Sequence, residues 1–263
     1  MTRYPKTMLI LLNSTKTMDM TGEVSSRLVL TEPEHLDAAR QLAGPLAKVS
    51  LSRLSHQMEV KGKLADQTRA DLAMWGQPGR IQKPALAAFT GLVFKYLDAP
   101  TLKVPQWKRA QKRMRILSGL YGLLRPLDLV EAYRLEMGSK VKPRQAKNLT
   151  EFWRPRLTEA VNAQLKTGEP IISLASQEYM KALDLEELIG PVISPVFKEK
   201  MPDGKLRTAP VHAKMARGAL ARFMLTSGAR TPRDLLGFGT LGWEATAEPP
   251  VSGPWLFERP GRG

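Results

Sequence analysis

The chain has no cysteine. Disulfides, thiol redox chemistry and iron–sulfur ligation are excluded at once. Histidine is almost as scarce. His35, His56 and His212 are the only three, and no two of them stand at a metal-ligand spacing such as HxxxH. No protein-held metal and no cofactor are expected. Aromatic residues make up 6% of the chain, too few for a stacking platform that would hold single-stranded nucleic acid. Acids are short as well: 25 Asp plus Glu face 40 Lys plus Arg, for a formal net charge of +15. Long apolar runs are missing. The clean run near the N-terminus, Met8–Leu12, is far too short to span a membrane or to serve as a signal core. A cytoplasmic protein with no membrane partner is expected.

What is present suits one large domain over residues 1–263. Hydrophobic residues reach 43%, and neither an internal repeat nor a low-complexity linker divides the chain. The positive excess suggests a polyanionic partner, because clustered Lys and Arg gain affinity by releasing counterions from phosphates. The alternative is a generally basic, soluble protein. The distribution of the charges decides between them.

Met8–Leu12 has the continuous apolar character of a strand buried on both faces. Thr31-Glu-Pro-Glu34 reads as a capping box ahead of Leu36, Ala39, Ala43 and Leu46 at helical spacing. Residues 51–75 form a polar helical region broken at Lys61-Gly62-Lys63, either a plain αα-hairpin or a helix–hairpin–helix element. Another helix is expected over 84–97. From Trp107 to Leu117 an apolar stripe is flanked by Lys108, Arg109, Lys112, Arg113 and Arg115 with no acid among them, a pattern that points to phosphate contact. Asn148 caps a helix carrying Trp153. Pro170–Leu174 is a second buried strand, Val192–Val211 a hairpin around Met201-Pro-Asp-Gly204, and Ala213–Met224 a helix with Lys214, Arg217 and Arg222 on one arc.

Strands alternating with helices argue for an α/β core, whose ligand groups gather where strands end and helices begin. Two such ends stand out, Asn13–Thr17 and Ala175–Tyr179. If the two strands are neighbours, Lys16 and Glu178 face one site. Gly237-Phe-Gly-Thr-Leu-Gly242 matches a nucleotide fingerprint only as letters, since a helix precedes it where a strand is needed. Lys16-Thr17 likewise lacks the upstream glycines of a phosphate loop. In ILSGLYGLLRPLDLVEAYRLEM at 116–137, Arg125, Asp128, Arg134 and Glu136 sit among apolar residues. Such charges either pair with each other or line a polar cleft, because isolated burial costs several kcal/mol.

These strings resemble a known family. LSGLYGLLRPLDLVEAYRLEMG at 117–138, Phe152-Trp153, ISLASQEYMK at 172–181, PVFKEK at 195–200, AKMARGALARFM at 213–224, GFGTLGW at 237–243 and LFER at 256–259 are similar to the YaaA family of peroxide-stress proteins over almost the whole chain. The resemblance implies a single mixed α/β fold around a positively charged cleft, with a helix–hairpin–helix element that would fall at 51–75. It implies DNA binding and a role in limiting peroxide- and iron-dependent damage. Lys16 and Thr17 match the family's Ser-Pro-Ala-Lys-Thr segment, here Asn13-Ser14-Thr15-Lys16-Thr17, and Arg125, Arg134, Lys214 and Arg217 match its basic positions.

Two functions follow as expectations. The first is a DNA-binding stress protein that tracks duplex or branched DNA through Lys16, Thr17, Lys108, Lys112, Arg115, Arg125, Arg134, Lys214 and Arg217, largely without reading sequence. The second is an enzyme acting on a nucleotide-like small molecule, a nucleobase or a DNA lesion. In it Lys16 is a phosphate anchor or amine nucleophile, and Glu136 or Glu178 the general acid–base.

Overall fold

The apolar run at the N-terminus becomes β1 (Leu9–Asn13), buried over its first four residues at the centre of the sheet. The computed structural model describes residues 7–261. After β1 the chain leaves the sheet for α1 (Leu36–Lys48), α2 (Leu51–Met58), α3 (Lys63–Met74), β2 (Lys83–Pro84), α4 (Ala85–Ala88), α5 (Leu92–Leu97) and α6 (Val104–Arg113). It returns through β3 (Met114–Ser118) and β4 (Gly122–Leu124), followed by β5 (Leu129–Val130), α7 (Leu149–Asn162), β6 (Ile171–Ser173) and α8 (Gln177–Met180). The last part holds β7 (Val192–Lys200), β8 (Leu206–Arg207), α9 (Pro210–Thr226), β9 (Glu244–Ala245) and β10 (Gly253–Pro260).

The main sheet runs β4-β3-β1-β6-β7-β10-β9, with β8 paired to β7. From β3 through β10 neighbouring strands are parallel, as expected where long crossovers join them; β4, β8 and β9 are antiparallel additions. A mixed α/β fold with a mostly parallel central sheet follows. Strands β1 and β6 pair directly, Leu9 to Ile171, so the two strand ends singled out above are neighbours.

Strand lengths shape one edge. β6 stops at Ser173, whereas β7 and β10 continue in register to Lys200 and Pro260. At about 3.3 Å per residue, this pair projects roughly 20 Å past the end of β6. Its tip is fixed by Glu199, whose Oε1 accepts from Arg259 Nε and Nη2 at 2.9 and 2.6 Å and lies 2.8 Å from His212 Nδ1. Burial would raise the Glu199 carboxyl, but the Arg259 and His212 donors outweigh it and hold it below the usual range. A depressed carboxylate stabilises the fold above its unfolded value and loses that contribution as pH falls through the lowered one. Glu199→Gln should therefore unfold at lower temperature than wild type at pH 7, with the difference shrinking as pH falls below the usual carboxylate range. Melting curves across pH check this.

Several local expectations give way to tertiary contacts. Thr31 does not cap α1; its Oγ1 donates to Asp128 Oδ1 at 2.6 Å, and the helix starts after His35 without a side-chain cap. The helix expected over 84–97 breaks at Phe89–Gly91 into α4 and α5. That expected over 107–117 ends at Arg113, because Met114–Ser118 pairs between β1 and β4 as a fully buried strand. Two adjoining strands there outweigh one more turn of helix. The Asn148 cap holds, accepting from Glu151 N at 2.8 Å. The glycine-rich 237–242 segment is a turn between short 3-10 helices. Among the described residues, no helix is long and apolar enough to cross a membrane.

Candidate functional site at the strand ends

Past Asn13 the chain turns out of the sheet, and its side chains tie three elements together. Asn13 Oδ1 accepts from Ser176 N at 2.8 Å, pinning the loop after β6 to the loop after β1. Ser14 Oγ lies 3.2 Å from Tyr179 Oη, and Ser118 Oγ, at the end of β3, lies 2.7 Å from Tyr133 Oη. Ser14 is a further partner of Tyr133, so four buried hydroxyls link the ends of β1, β3 and β6. Burial pushes the Tyr133 phenol up to about 12 and raises Tyr179 as well, which keeps both protonated as donors.

Above this layer stands Lys16. Its Nζ is 2.7 Å from Glu136 Oε2, with the two side chains 55% and 34% exposed. Arg134 Nη1 donates to the Lys16 carbonyl at 3.1 Å. Glu178 Oε1 accepts from Gly138 N at 2.7 Å, and a Cβ on Gly138 would come within 2.8 Å of the Glu178 carboxyl and push it aside. Lys16 and Glu178 thus contact the same 134–138 segment. A half-exposed ion pair is worth less than about 1 kcal/mol to stability. Lys16→Ala should therefore leave the melting temperature within about 3 °C of wild type, at roughly 2–4 °C per kcal/mol for a domain of this size.

Two further elements approach the same loops. Lys140 N donates to Gln57 O at 2.8 Å and Lys140 Nζ pairs with Glu59 Oε1 at 2.8 Å, so the turn between α2 and α3 rests against the segment that carries Glu136. The Lys140 hydrogen bond and charge hold the Glu59 carboxyl below its usual value, and Lys16 adds to the effect. Lys61 and Lys63 are exposed beside that turn. On the other side, α9 packs along α5 with both running the same way: Gly218 lies against Val93 O, and Arg222 Nη1 reaches Leu97 O and Asp98 O at 2.9 Å each. Lys214 is exposed on α9 one turn before Gly218, and Thr90 N, just ahead of α5, donates to Thr17 O at 3.1 Å. Gly91 N donates to Thr15 Oγ1 at 3.3 Å.

The basic residues named from sequence thus separate into two groups. Lys16, Thr17 and Arg134 lie at the strand ends, while Lys214 is exposed near the start of α9. Lys108 and Lys112 are exposed on α6, but their neighbours are structural: Arg109 donates to Leu225 O, and Arg113 to Met8 O and Ala229 O. Arg115 is a correction. It lies on β3 rather than on a basic helix, is 5% exposed, and gives its guanidinium to Gln164 Oε1 and the Gln111 and Met114 carbonyls. Arg125 is likewise engaged, with Asp128 through Nε at 3.0 Å and with Glu32 O through Nη2 at 2.8 Å. Arg217 is half-buried on α9, and its Nε is buried without a hydrogen-bond partner among the described residues. Of the 116–137 charges, Arg125 and Asp128 pair structurally, whereas Glu136 pairs with Lys16 and Arg134 donates to the Lys16 carbonyl at the strand ends.

The hydroxyl layer and the Glu59–Lys140 link were missed in the sequence. Strand alternation could have found Ser118, but Tyr133 and Tyr179 become meaningful only once β1 lies between β3 and β6. A cavity of about 740 Å³ lies elsewhere, between the β7–β8 hairpin and β9; it includes Lys200, Met201, Glu244 and Arg259 and none of the residues above. Among the described residues, no group of three His, Asp or Glu is arranged to hold a metal ion.

The family model described as peroxide stress protein YaaA matches residues 8–248, which includes every strand-end residue named here. A UPF0246 protein of Flavobacterium johnsoniae is 39% identical over 254 residues, covering 96% of this chain and 100% of its own length. UPF0246 proteins of Maricaulis maris and Shewanella baltica are 38% and 39% identical, over 96% and 92% of this chain and 96% and 95% of their own. With the match running from β1 to beyond β9, the chain belongs to the peroxide stress protein YaaA family.

Proposed function

We propose that this protein binds DNA at the strand ends and acts in the peroxide stress response by limiting iron-dependent oxidative damage. The observation that carries the reading is the contact of the α2–α3 turn, which holds exposed Lys61 and Lys63, with the segment that pairs with exposed Lys16, made through Lys140 to Glu59 and Gln57. Lys214, exposed on α9, would add a further cation to the rim. A cleft with such a rim follows a phosphate backbone by charge and shape, which suits duplex or branched DNA and reads little sequence. The α2–α3 pair would serve as the helix–hairpin–helix element, its turn presenting Lys61 and Lys63 to one strand.

Fluorescence anisotropy with a labelled duplex, repeated across salt concentrations, tests this. Wild type should bind with a steep log–log salt slope, and Lys61→Ala/Lys63→Ala should flatten it by roughly 0.9 for each phosphate that the variant no longer neutralises. Lys108→Ala/Lys112→Ala, on a separate helix, should change it less. Weak binding with no dependence on salt would remove the proposal.

A further inference from the structure

The charges nearest Lys16 do not make a simple phosphate clamp. Lys16 and Arg134 contribute two positive charges, and Glu136 and Glu178 two negative ones. Carboxylates repel phosphate, so an anion-binding patch gains nothing from having two of them at its centre. An amine joined to a carboxylate by one hydrogen bond is instead the arrangement that acid–base and covalent chemistry needs. The pair is too exposed to be there for stability.

We infer that Lys16 is the nucleophile of a lyase that acts on the open-chain aldehyde of a base-free deoxyribose in DNA. The inference rests on the DNA-binding reading above. Glu136 first takes a proton from the Lys16 ammonium across their 2.7 Å contact. The freed lone pair attacks C1′ of the sugar, and the carbinolamine loses its hydroxyl as water on receiving that proton from Glu136, which leaves a protonated imine and returns Glu136 to a carboxylate. The imine makes the C2′ hydrogen acidic. Glu136 removes that proton, the electrons form a C2′–C3′ double bond, and the C3′–O bond breaks with its electron pair leaving on the phosphate. Water then hydrolyses the imine, returning the Lys16 amine and a strand ending in an unsaturated aldehyde. One water leaves and one enters, and no oxidant or reductant is needed.

The surrounding residues fit these steps. Arg134 fixes the backbone of Lys16 through its carbonyl, and Glu178 fixes Gly138, two residues beyond Glu136, so both are positioning residues. The exposed cations of the rim hold the phosphates on either side of the lesion.

The test uses a duplex with one natural base-free site, incubated with the full chain and then reduced with sodium borohydride, which locks an imine into a stable amine. In parallel, anisotropy measures binding to a duplex carrying tetrahydrofuran, a sugar without the aldehyde. Wild type should bind the tetrahydrofuran duplex, give a covalent adduct that peptide mapping assigns to Lys16, and incise the natural site without borohydride. Lys16→Arg keeps the charge and should bind normally while losing the adduct. Glu136→Gln removes the base for both steps and should form the Lys16 adduct more slowly and incise about 100-fold more slowly, the scale of losing a general base. An adduct that survives in Lys16→Arg, or maps to another lysine, overturns the assignment. Binding without any adduct overturns the lyase and leaves DNA binding standing. Loss of both binding and adduct in wild type overturns both.

Discussion

Gly218→Val in α9 should lower the unfolding midpoint by roughly 6–12 °C. A Cβ at this position would lie 2.1 Å from Val93 O and 2.8 Å from Tyr96 Cβ, far inside contact distance. The obstacle is a backbone carbonyl of α5, which cannot swing aside as a side-chain tip would, so one helix must move. Overpacking of this kind costs about 3 kcal/mol, which converts at 2–4 °C per kcal/mol. The same substitution relieves a helix-interior glycine, yet that gain is under 1 kcal/mol and loses. Thermal melts of wild type, Gly218→Ala and Gly218→Val decide the matter. A midpoint unchanged or raised in both variants would mean that the two helices are not in this contact.

Trp153→Ala should cost about 3–5 kcal/mol, the range for deleting a large buried aromatic ring. Trp153 is fully buried on α7, packs edge-on to Phe152, and donates from Nε1 to Gly119 O at 2.9 Å. Removing it opens a cavity and leaves that buried carbonyl without its donor. The turn it holds, Ser118 to Tyr121, positions the Ser118 hydroxyl, which accepts from Leu120 N and Tyr121 N and meets Tyr133. Urea titrations should therefore show a lower midpoint with an unchanged slope. A loss below 1 kcal/mol would contradict the packing described here. Lys16→Ala, only a few residues beyond the same strand ends, should leave the midpoint nearly unchanged, so stability and function separate at neighbouring positions.

Much of the architecture was legible because a few signals are local. Met8–Leu12 and Pro170–Leu174 read as strands from their unbroken apolar character, and Asn148 read as a cap from its spacing to Glu151. Val192–Val211 read as a hairpin from Pro-Asp-Gly, although its second strand is only Leu206–Arg207. Periodicity failed where distant partners decide. Met114 to Leu117 continues a helical pattern perfectly well, and only the strands on either side make it β3. Thr31 looked like a cap because Asp128, ninety-seven positions away, cannot be seen in the local window.

The site was half legible for the same reason. Lys16, Glu178 and Glu136 could be named from strand ends and misplaced charges. Their grouping depended on β1 lying beside β6, and on Gly138 passing close enough to donate its N–H to Glu178. The basic stripe at 107–117 misled, since a count of positive charges cannot tell an arginine that reaches solvent from one that ties down a carbonyl. Arg109, Arg113 and Arg115 do the latter. The hydroxyl layer under Lys16 carries no charge and no motif, and only tertiary structure brings its members together.

The central claim is that the ends of β1, β3 and β6, with the α2–α3 turn and the start of α9, form the working surface. Hydrogen–deuterium exchange of the full chain, with and without a saturating DNA duplex, tests it most directly. Slower exchange is predicted in 13–18, 59–63, 133–140 and 210–217, with 104–113 changing little. Protection confined to 104–113, or absent from the Lys16 loop while DNA is bound, would put the DNA elsewhere and contradict the account.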